Sequence, residues 1–305
     1  MEIDDVRAFV AVADAGSVSA AARELFRTQP AVTRRLQRLE RALGARLVDR
    51  RRRPFALTPA GQAALTRCRA LLASVQELRA VAGGAPGPAG ELRVAVAHAL
   101  TELMLEEPVA RVQRRFPAVQ FRLSTGWSRD LLERLRTQSV EAAFILLPRD
   151  EAPPASLRAE ALAEERMVVV APRSEPAGRM RVEALGGRSW VLNPDGCSAR
   201  LGLERTLARA GLDCRVAIET YDYELQLSLV AQGRGLGLVP GRLLARSRFR
   251  RAVKPVRVTG LALEMTIWSM RSRPVPALEP VLDELTRVVG RHLGRGRAKR
   301  SVAVS

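Results

Sequence analysis

The stretch SVSAAARELFRTQPAVTRRLQRLERAL (residues 17–43) decides the fold at the front of this chain. It reads as two short helices joined by a tight turn. Ser17 is placed to cap the first helix, and Ala21, Ala22 and Leu25 fall on one side of it, small enough to admit a second helix. Thr28 is the natural cap of that second helix, its hydroxyl expected to accept a first-turn N–H. Pro30 is tolerated there because first-turn donors have no intrahelical partner. Val32, Leu36, Leu39 and Leu43 recur at spacings of four, three and four, which predicts a buried helical stripe. The other face carries Gln29, Ala31, Thr33, Arg34, Gln37 and Arg38. Glutamine, threonine and arginine near a helix N-terminus are the types that read base edges and phosphates in a major groove. The pattern predicts a helix-turn-helix. Amphipathic pairs with solvated arginines look similar, so the motif alone leaves both readings open.

The flanking sequence narrows the choice. Upstream, Ile3, Val6, Phe9, Val10 and Ala13 at helical spacing give a third helix to cover the pair, with Gly16 at its end. Downstream, Gly44 stops the run, and residues 46–58, RLVDRRRRPFALT, read as two extended pieces around a basic turn. A hairpin carrying Arg50, Arg51, Arg52 and Arg53 beside such a helix suits a wing that grips phosphates without reading sequence.

From Asp5 to Gly61 the chain resembles the N-terminal domain of LysR-type transcriptional regulators. The matching residues are Phe9 and Val12, Gly16-Ser17, Ala21-Ala22-x-x-Leu25, Gln29-Pro30-Ala31-Val32-Thr33, Leu36-x-x-Leu39-Glu40, Leu43-Gly44, Leu47-x-x-Arg50 and Leu57-Thr58-x-x-Gly61. Two positions depart from the family pattern. Val48 stands where phenylalanine is usual, and Phe26-Arg27 precedes Thr28 where a smaller turn is expected.

Residues 59–83, PAGQAALTRCRALLASVQELRAVAG, read as one helix about 35 Å long. Leu65, Cys68, Leu72 and Val75 alternate by three and four, with Ala64, Leu71 and Leu78 as an adjacent heptad row. A narrow seam on a polar helix suggests pairing with a second copy, and the resemblance implies the family's linker and dimerisation helix. Residues 84–90 lie in a Gly/Pro-rich hinge.

Beyond the hinge, short apolar runs alternate with helical patterns. Strands are expected at Leu92–Ala97, Val119–Ser124, Ala142–Leu147, Met167–Ala171, Trp190–Asn193, Arg215–Thr220 and Gly237–Val239. Helices are expected up to about Phe116 and at Leu131–Gln138, Ala199–Ala210 and Tyr223–Gln232. Such alternation means an α/β sheet, and these sheets bind ligands at the carboxyl ends of their strands. The resemblance implies two α/β subdomains like those of periplasmic solute-binding proteins, residues 91–163 with 268–294 and residues 164–267, with a small effector between them. The expected architecture is therefore multidomain: a winged helix-turn-helix over 1–58, a linker helix over 59–83, a hinge over 84–90, a periplasmic-binding-protein-like effector domain over 91–294, and a basic tail over 295–305. Strand ends nominate His98, Thr101, Trp127, Ser128, Asn193, Ser198, Arg200 and Tyr221 for the effector. Each of these also has an ordinary structural use, as a satisfied core histidine or a packing tryptophan.

Composition bounds the alternatives. The net charge of +18 favours a polyanionic partner. Lysine occurs only at Lys254 and Lys299, an arginine skew that a GC-rich genome also produces, so the placement of charge outweighs its total. Cys68, Cys197, Cys214, His98 and His292 are widely spaced and form no metal-ligand pattern. Cys68 lies on an apolar stripe, and a redox pair of Cys197 with Cys214 is the minor reading. No Ser/His/Asp, Cys/His or phosphate-loop constellation supports an enzyme, and no cofactor is expected. The acidic N-terminus resembles no secretory signal and no apolar run reaches the roughly 20 residues of a membrane span, so a cytoplasmic protein without a membrane partner is expected. The leading reading is a regulator binding double-stranded DNA at an interrupted palindrome through Ser17, Thr28, Gln29, Pro30, Ala31, Thr33, Arg34, Arg38 and Arg50–Arg53. It would respond to a small-molecule effector and assemble as a homodimer through the linker helix and then a homotetramer. The alternative is a cytoplasmic solute-binding module whose N-terminal helices contact protein.

Overall fold

The computed structural model describes residues 1–49, 56–82, 88–101, 107–175, 179–272 and 275–298. The chain divides into two compact units, one built mainly on Met1–Gly90 and the other mainly on residues from Glu91 onward.

In the first unit, helices α1 (Ile3–Ala15), α2 (Val18–Glu24) and α3 (Gln29–Leu43) precede a two-strand ribbon, β1 (Val48–Asp49) and β2 (Ala56–Leu57), and helix α4 (Pro59–Ala82). Phe9, Val12, Ala21, Val32 and Leu39 are fully buried together, and Ala22 nearly so. Leu43 departs from its expected stripe: at 44% exposure it has run past the core that buries Leu36 and Leu39. Ile3 at 39% does the same at the other end of its helix. Gly16 and Gly44 end α1 and α3 in the left-handed conformation, with φ of 63° and 64°, which an L side chain adopts at a cost.

The ribbon pairs Val48 with Leu57 and Asp49 with Ala56. The basic turn expected at Arg50–Arg53 lies outside the described residues. Glu40 of α3 accepts the amides of Leu47 and Val48 at 2.9 and 3.4 Å, tying the ribbon to the helix. Thr58 donates its hydroxyl to the Arg46 carbonyl at 2.6 Å and accepts the Gly61 amide at 2.9 Å, capping α4. At Gly61 a Cβ would stand 2.0 Å from the Leu47 carbonyl oxygen, so no other residue fits without moving backbone.

The α4 seam divides. Leu65 and Cys68 are buried in the first unit's own core, with Ala64 and Leu72 packed partly against it. In the adjacent row, Leu71 and Leu78 are 41% and 69% exposed. Burial pushes the Cys68 thiol above its ordinary pKa, as suits a packing residue.

The second unit comprises β3 (Gly90–Ala97), α5 (Pro108–Arg115), β4 (Val119–Gly126), α6 (Ser128–Arg136), β5 (Ala142–Pro148), β6 (Arg158–Pro172), β7 (Arg179–Arg181), β8 (Ser189–Leu192), α7 (Ser198–Arg209), β9 (Arg215–Glu219), α8 (Tyr223–Ala231), β10 (Leu236–Pro240), α9 (Gly241–Arg246), β11 (Val253–Thr259), β12 (Glu264–Arg271) and α10 (Glu279–Ala298). The main strand path is β4-β3-β5-β12-β6-β10-β8-β9. It is parallel between β3 and β5 and again between β10, β8 and β9. The long strand β6 joins the two halves: through Arg166 it pairs with β12, and from Met167 it pairs with β10. The subdomains therefore change over at Arg166/Met167 and, on the return, just before β12.

The carboxyl ends of β3, β4, β8, β9 and β10 carry the segments that line the space between the halves. Gln226 of α8 is fully buried and donates to the Val191 carbonyl at 2.7 Å, fixing that helix beneath two of these ends. β11 and β12 were not expected. β11 carries Pro255 in a pairing position against Val170, and proline ordinarily argues against a strand.

Candidate nucleic-acid interface and ligand cleft

On the first unit, Ser17 accepts the Ala20 amide at 3.1 Å and caps α2 as expected. Thr28 precedes α3, but its hydroxyl makes no cap bond. Pro30 has no N–H, and the Ala31 amide is taken by the Thr28 carbonyl at 3.0 Å. The Thr28 hydroxyl thus stays exposed and available to another molecule.

Gln29, Pro30 and Arg34 are exposed, and Ala31 and Thr33 half-buried, on the face opposite Val32, Leu36 and Leu39. Ser19 donates to Gln29 Oε1 at 3.2 Å and orients that amide before anything binds. Arg34 has no ion-pair partner among the described residues.

Arg38 is different. Its guanidinium reaches Asp5 at 3.1 Å and Glu2 at 3.7 Å, and the Asp5 carboxylate is wholly buried. Arg35 meets Asp4 at 3.1 Å and Asp5 at 4.0 Å. Both arginines hold α3 on α1. Sequence reasoning put Arg38 with the DNA-facing residues because Asp5, in a different helix, has no local spacing that marks it as a partner.

Among the described residues of the second unit, spaces open between the subdomains, three of which bear on the nominated residues. One of about 240 Å³ is lined by His98, Thr101, Thr125, Tyr221, Asp222 and Arg246, among others. Another of about 290 Å³ is lined by residues including Arg129, Asp150, Glu151, Asp195, Ser198 and Arg205. The third, only about 20 Å³, includes His98 and Tyr223 of the first space, Cys197 and Ser198 near the second, and Trp127 and Ser128. Trp127 thus stands as a septum between two chambers. Its indole contacts His98 at 4.6 Å, Tyr223 at 6.2 Å and Tyr221 at 6.4 Å between ring centroids. A Cβ on Gly196 would come within 3.0 Å of the Trp127 Cβ, so the facing loop closes on it tightly.

Trp127 Nε1 and Thr101 Oγ1 are buried with no hydrogen-bond partner among the described residues, a costly state. Burial lowers the His98 pKa, against an opposing pull from Asp222, so the imidazole is neutral near pH 7 and can donate and accept. Burial raises the Cys197 thiol pKa despite nearby amides and Tyr223. Cys214 is raised to about 11 by burial and Glu204. Neither cysteine is a ready thiolate.

Six of the eight residues nominated from strand ends line these spaces: His98, Thr101, Trp127, Ser128, Ser198 and Tyr221. Asn193 and Arg200 do not. Asn193 is buried and donates to the Thr220 carbonyl at 3.0 Å. Arg200 is spent on Asp195, Glu204 and Glu219 at 2.6, 2.8 and 2.7 Å. Thr125, Asp222 and Arg246 were missed. Asp222 was legible as the cap of α8, accepting the Leu225 amide at 2.6 Å; Arg246 sits on a six-residue helix too short for periodicity to reveal.

A winged helix pair with an open cationic reading face, followed by an α/β unit with a chambered cleft, defines a DNA-binding protein with a ligand-binding domain. The bacterial regulatory helix-turn-helix protein, lysR family, matches residues 3–62, and the LysR substrate binding domain matches residues 85–290. The chain belongs to the LysR family of DNA-binding transcriptional regulators. It is 30% identical to the transcriptional regulator CzcR of Bacillus anthracis over 240 residues, covering 79% of this chain and 80% of that one. It is 28% identical to GltR of Bacillus subtilis over 245 residues, 80% and 81% of the two chains. Among solved structures, full-length CbnR complexed with its target DNA aligns at a TM-score of 0.60 and 26% identity, covering 96% and 100%. A full-length OxyR variant from Pseudomonas aeruginosa shares the fold at a TM-score of 0.71 and 21% identity, covering 95% and 97%. No helix among the described residues is long and apolar enough to cross a membrane.

Proposed function

We propose that this regulator reads promoter DNA through Gln29, Pro30, Ala31, Thr33 and Arg34, with Ser17, Thr28 and the Arg50–Arg53 turn on the backbone. A small effector held beside Trp127 shifts its occupancy. The observation that carries the first part is the contrast along α3: Arg34 is exposed and has no ion-pair partner among the described residues, while Arg35 and Arg38 are held by acids of α1. Copies join through the Leu71 and Leu78 row of α4, giving a homodimer and then a homotetramer on an interrupted palindrome, in the cytoplasm. Because a ligand shifts states only by its differential affinity, the residues around Trp127 must hold the effector differently in the regulator's two states.

The direct test is a gel shift with DNA flanking the protein's own gene, repeated between about 50 and 200 mM salt. Wild type is expected to protect a palindrome and to lose affinity steeply with salt. Arg34→Ala is expected to lose about 1–3 kcal/mol of specific binding with the oligomer intact. Undiminished binding by that variant rejects α3 as the reading helix.

A further inference from the structure

Among the described residues, the sharpest local anomaly lies in the turn between α2 and α3. Phe26 has a φ of 52°, one of two positive values outside glycine, the other being Gln138. It is also 94% exposed, more than any other large hydrophobic side chain described. Both features are unfavourable to the fold. In the left-handed region a Cβ crowds the following carbonyl, which glycine avoids and asparagine tolerates. An exposed ring contributes nothing to burial. The turn does not depend on that ring, because main-chain bonds close it: Phe26 N–H to the Arg23 carbonyl at 3.2 Å, and Arg27 N–H to the Ala22 carbonyl at 2.9 Å. A side chain that strains the backbone and packs on nothing is accounted for by what it touches in a complex.

The surroundings identify the partner. Arg23 and Arg27 lie three residues before and one residue after Phe26 in the chain, both exposed and without ion-pair partners among the described residues. Thr28, Gln29 and Pro30, all exposed, follow directly at the head of the reading helix. An exposed apolar ring in a segment that also carries two exposed arginines, without ion-pair partners among the described residues, matches a surface that alternates apolar and anionic groups at short range. The sugar-phosphate edge of a duplex is such a surface, with deoxyribose carbons between phosphates. We propose that Phe26 is a DNA-contacting residue whose ring lies on a deoxyribose of the strand bordering the groove that α3 enters, with Arg23 and Arg27 on the adjacent phosphates. The inference rests on α3 being the reading helix. The left-handed turn holds the ring outward at the expense of the free protein's stability.

The test uses the full chain and two duplexes: one selected by the wild-type protein from random-sequence DNA, and a scrambled duplex of equal length. Phe26→Asn and Phe26→Gly are compared with wild type and with Arg34→Ala by fluorescence anisotropy over a range of salt. Both Phe26 variants should weaken binding roughly three- to tenfold on both duplexes, leaving their ratio unchanged. The slope of log affinity against log salt should also be unchanged, since no phosphate contact is removed. Meanwhile the helix-monitored thermal midpoint should rise by about 2–4 °C. Normal affinity in the Phe26 variants alongside weakened Arg34→Ala overturns the proposal and spares the helix assignment. Normal affinity in all three variants removes the assignment as well. A loss confined to the selected duplex overturns it in favour of a base contact, and a fall in thermal midpoint overturns it in favour of a structural ring.

Discussion

Replacing Arg38 by alanine separates the arginine that holds α3 from the one that reads DNA. Arg38 pairs with Asp5 at 3.1 Å, and the Asp5 carboxylate has no solvent exposure. Once Arg38 is gone, Asp5 keeps the Glu2 amide at 3.0 Å and Arg35 at 4.0 Å. Removing one partner of a fully buried pair costs about 3–5 kcal/mol. The Arg38 side chain is 44% exposed, and solvent screening on that side reduces the expected loss to about 1–3 kcal/mol. Arg34→Ala removes no such pair and should change stability by less than about 0.5 kcal/mol. The two units can be followed separately, because Trp127, Trp190 and Trp268 all lie in the second unit. In a urea titration of the full chain, Arg38→Ala should lower the midpoint of that part of the far-UV circular dichroism change which does not follow tryptophan emission, since both units are helical, and leave the tryptophan-emission midpoint alone. Asp5→Asn combined with Arg38→Ala should cost less than the sum of the two, the sign of direct coupling. If Arg34→Ala and Arg38→Ala shift the dichroism midpoint equally, the clamp on Asp5 is wrong.

Three further outcomes follow from the same geometry. Gly61→Ala forces a Cβ to 2.0 Å from the Leu47 carbonyl, so the ribbon must move and operator binding should collapse; a soluble variant with wild-type affinity refutes that contact. Leu71→Glu with Leu78→Glu changes two exposed positions and should shift sedimentation toward monomer while leaving both unfolding midpoints within about 0.5 kcal/mol; an unchanged assembly rules the row out. His98, whose pKa is lowered by burial against Asp222, binds its proton less tightly folded than unfolded. Its contribution to stability is therefore complete above the unfolded pKa, near 6.5, and is lost as pH falls from there through the lower folded value. Glu165 runs the other way, since burial raises its pKa and its contribution fades as pH rises. The comparison is therefore wild type against His98→Gln by tryptophan emission, where identical pH slopes refute the shift.

Some of this was legible in the sequence because the cause was local. Ser17 at a helix start, Gly16 and Gly44 at helix ends, and Val32, Leu36 and Leu39 at spacings of four and three each carry their reason within one turn. Strand ends carried most of the cleft for a similar reason: in an α/β sheet they fix which loops face the ligand. The failures share the opposite property. The hold of Arg38 on α1 was hidden because Asp5 lies in another helix, and Arg200, four residues from Glu204, meets Glu219 only where α7 and β9 come together. The α4 seam was read for a second copy because periodicity reports an apolar stripe without naming what covers it. Leu65 and Cys68 are covered by their own chain, while Leu71 and Leu78 beside them are exposed.

The septum in the cleft belongs to the same class of feature. Trp127 is 6% exposed in a protein whose ligand site should be empty enough to fill. Its burial comes from partners on both sides: His98 on its own half, Tyr223 and the Gly196 loop on the other. A tryptophan packed across the seam stabilises the closed arrangement through ring contacts worth about 0.5–1.5 kcal/mol each beyond area burial. It simultaneously leaves its own Nε1 unpartnered, which costs about 1–3 kcal/mol. These opposing contributions are of similar size, so the closed state has little net advantage from this residue. Under the effector reading proposed above, a small ligand that accepts from Nε1 and replaces one ring contact would act on this balance, because only differential affinity moves an equilibrium. The physical requirement on an effector is modest in size and specific in kind: a polar acceptor that reaches the Trp127 indole from the neighbouring chamber of about 240 Å³, whose His98 and Tyr223 also line the small space around the indole.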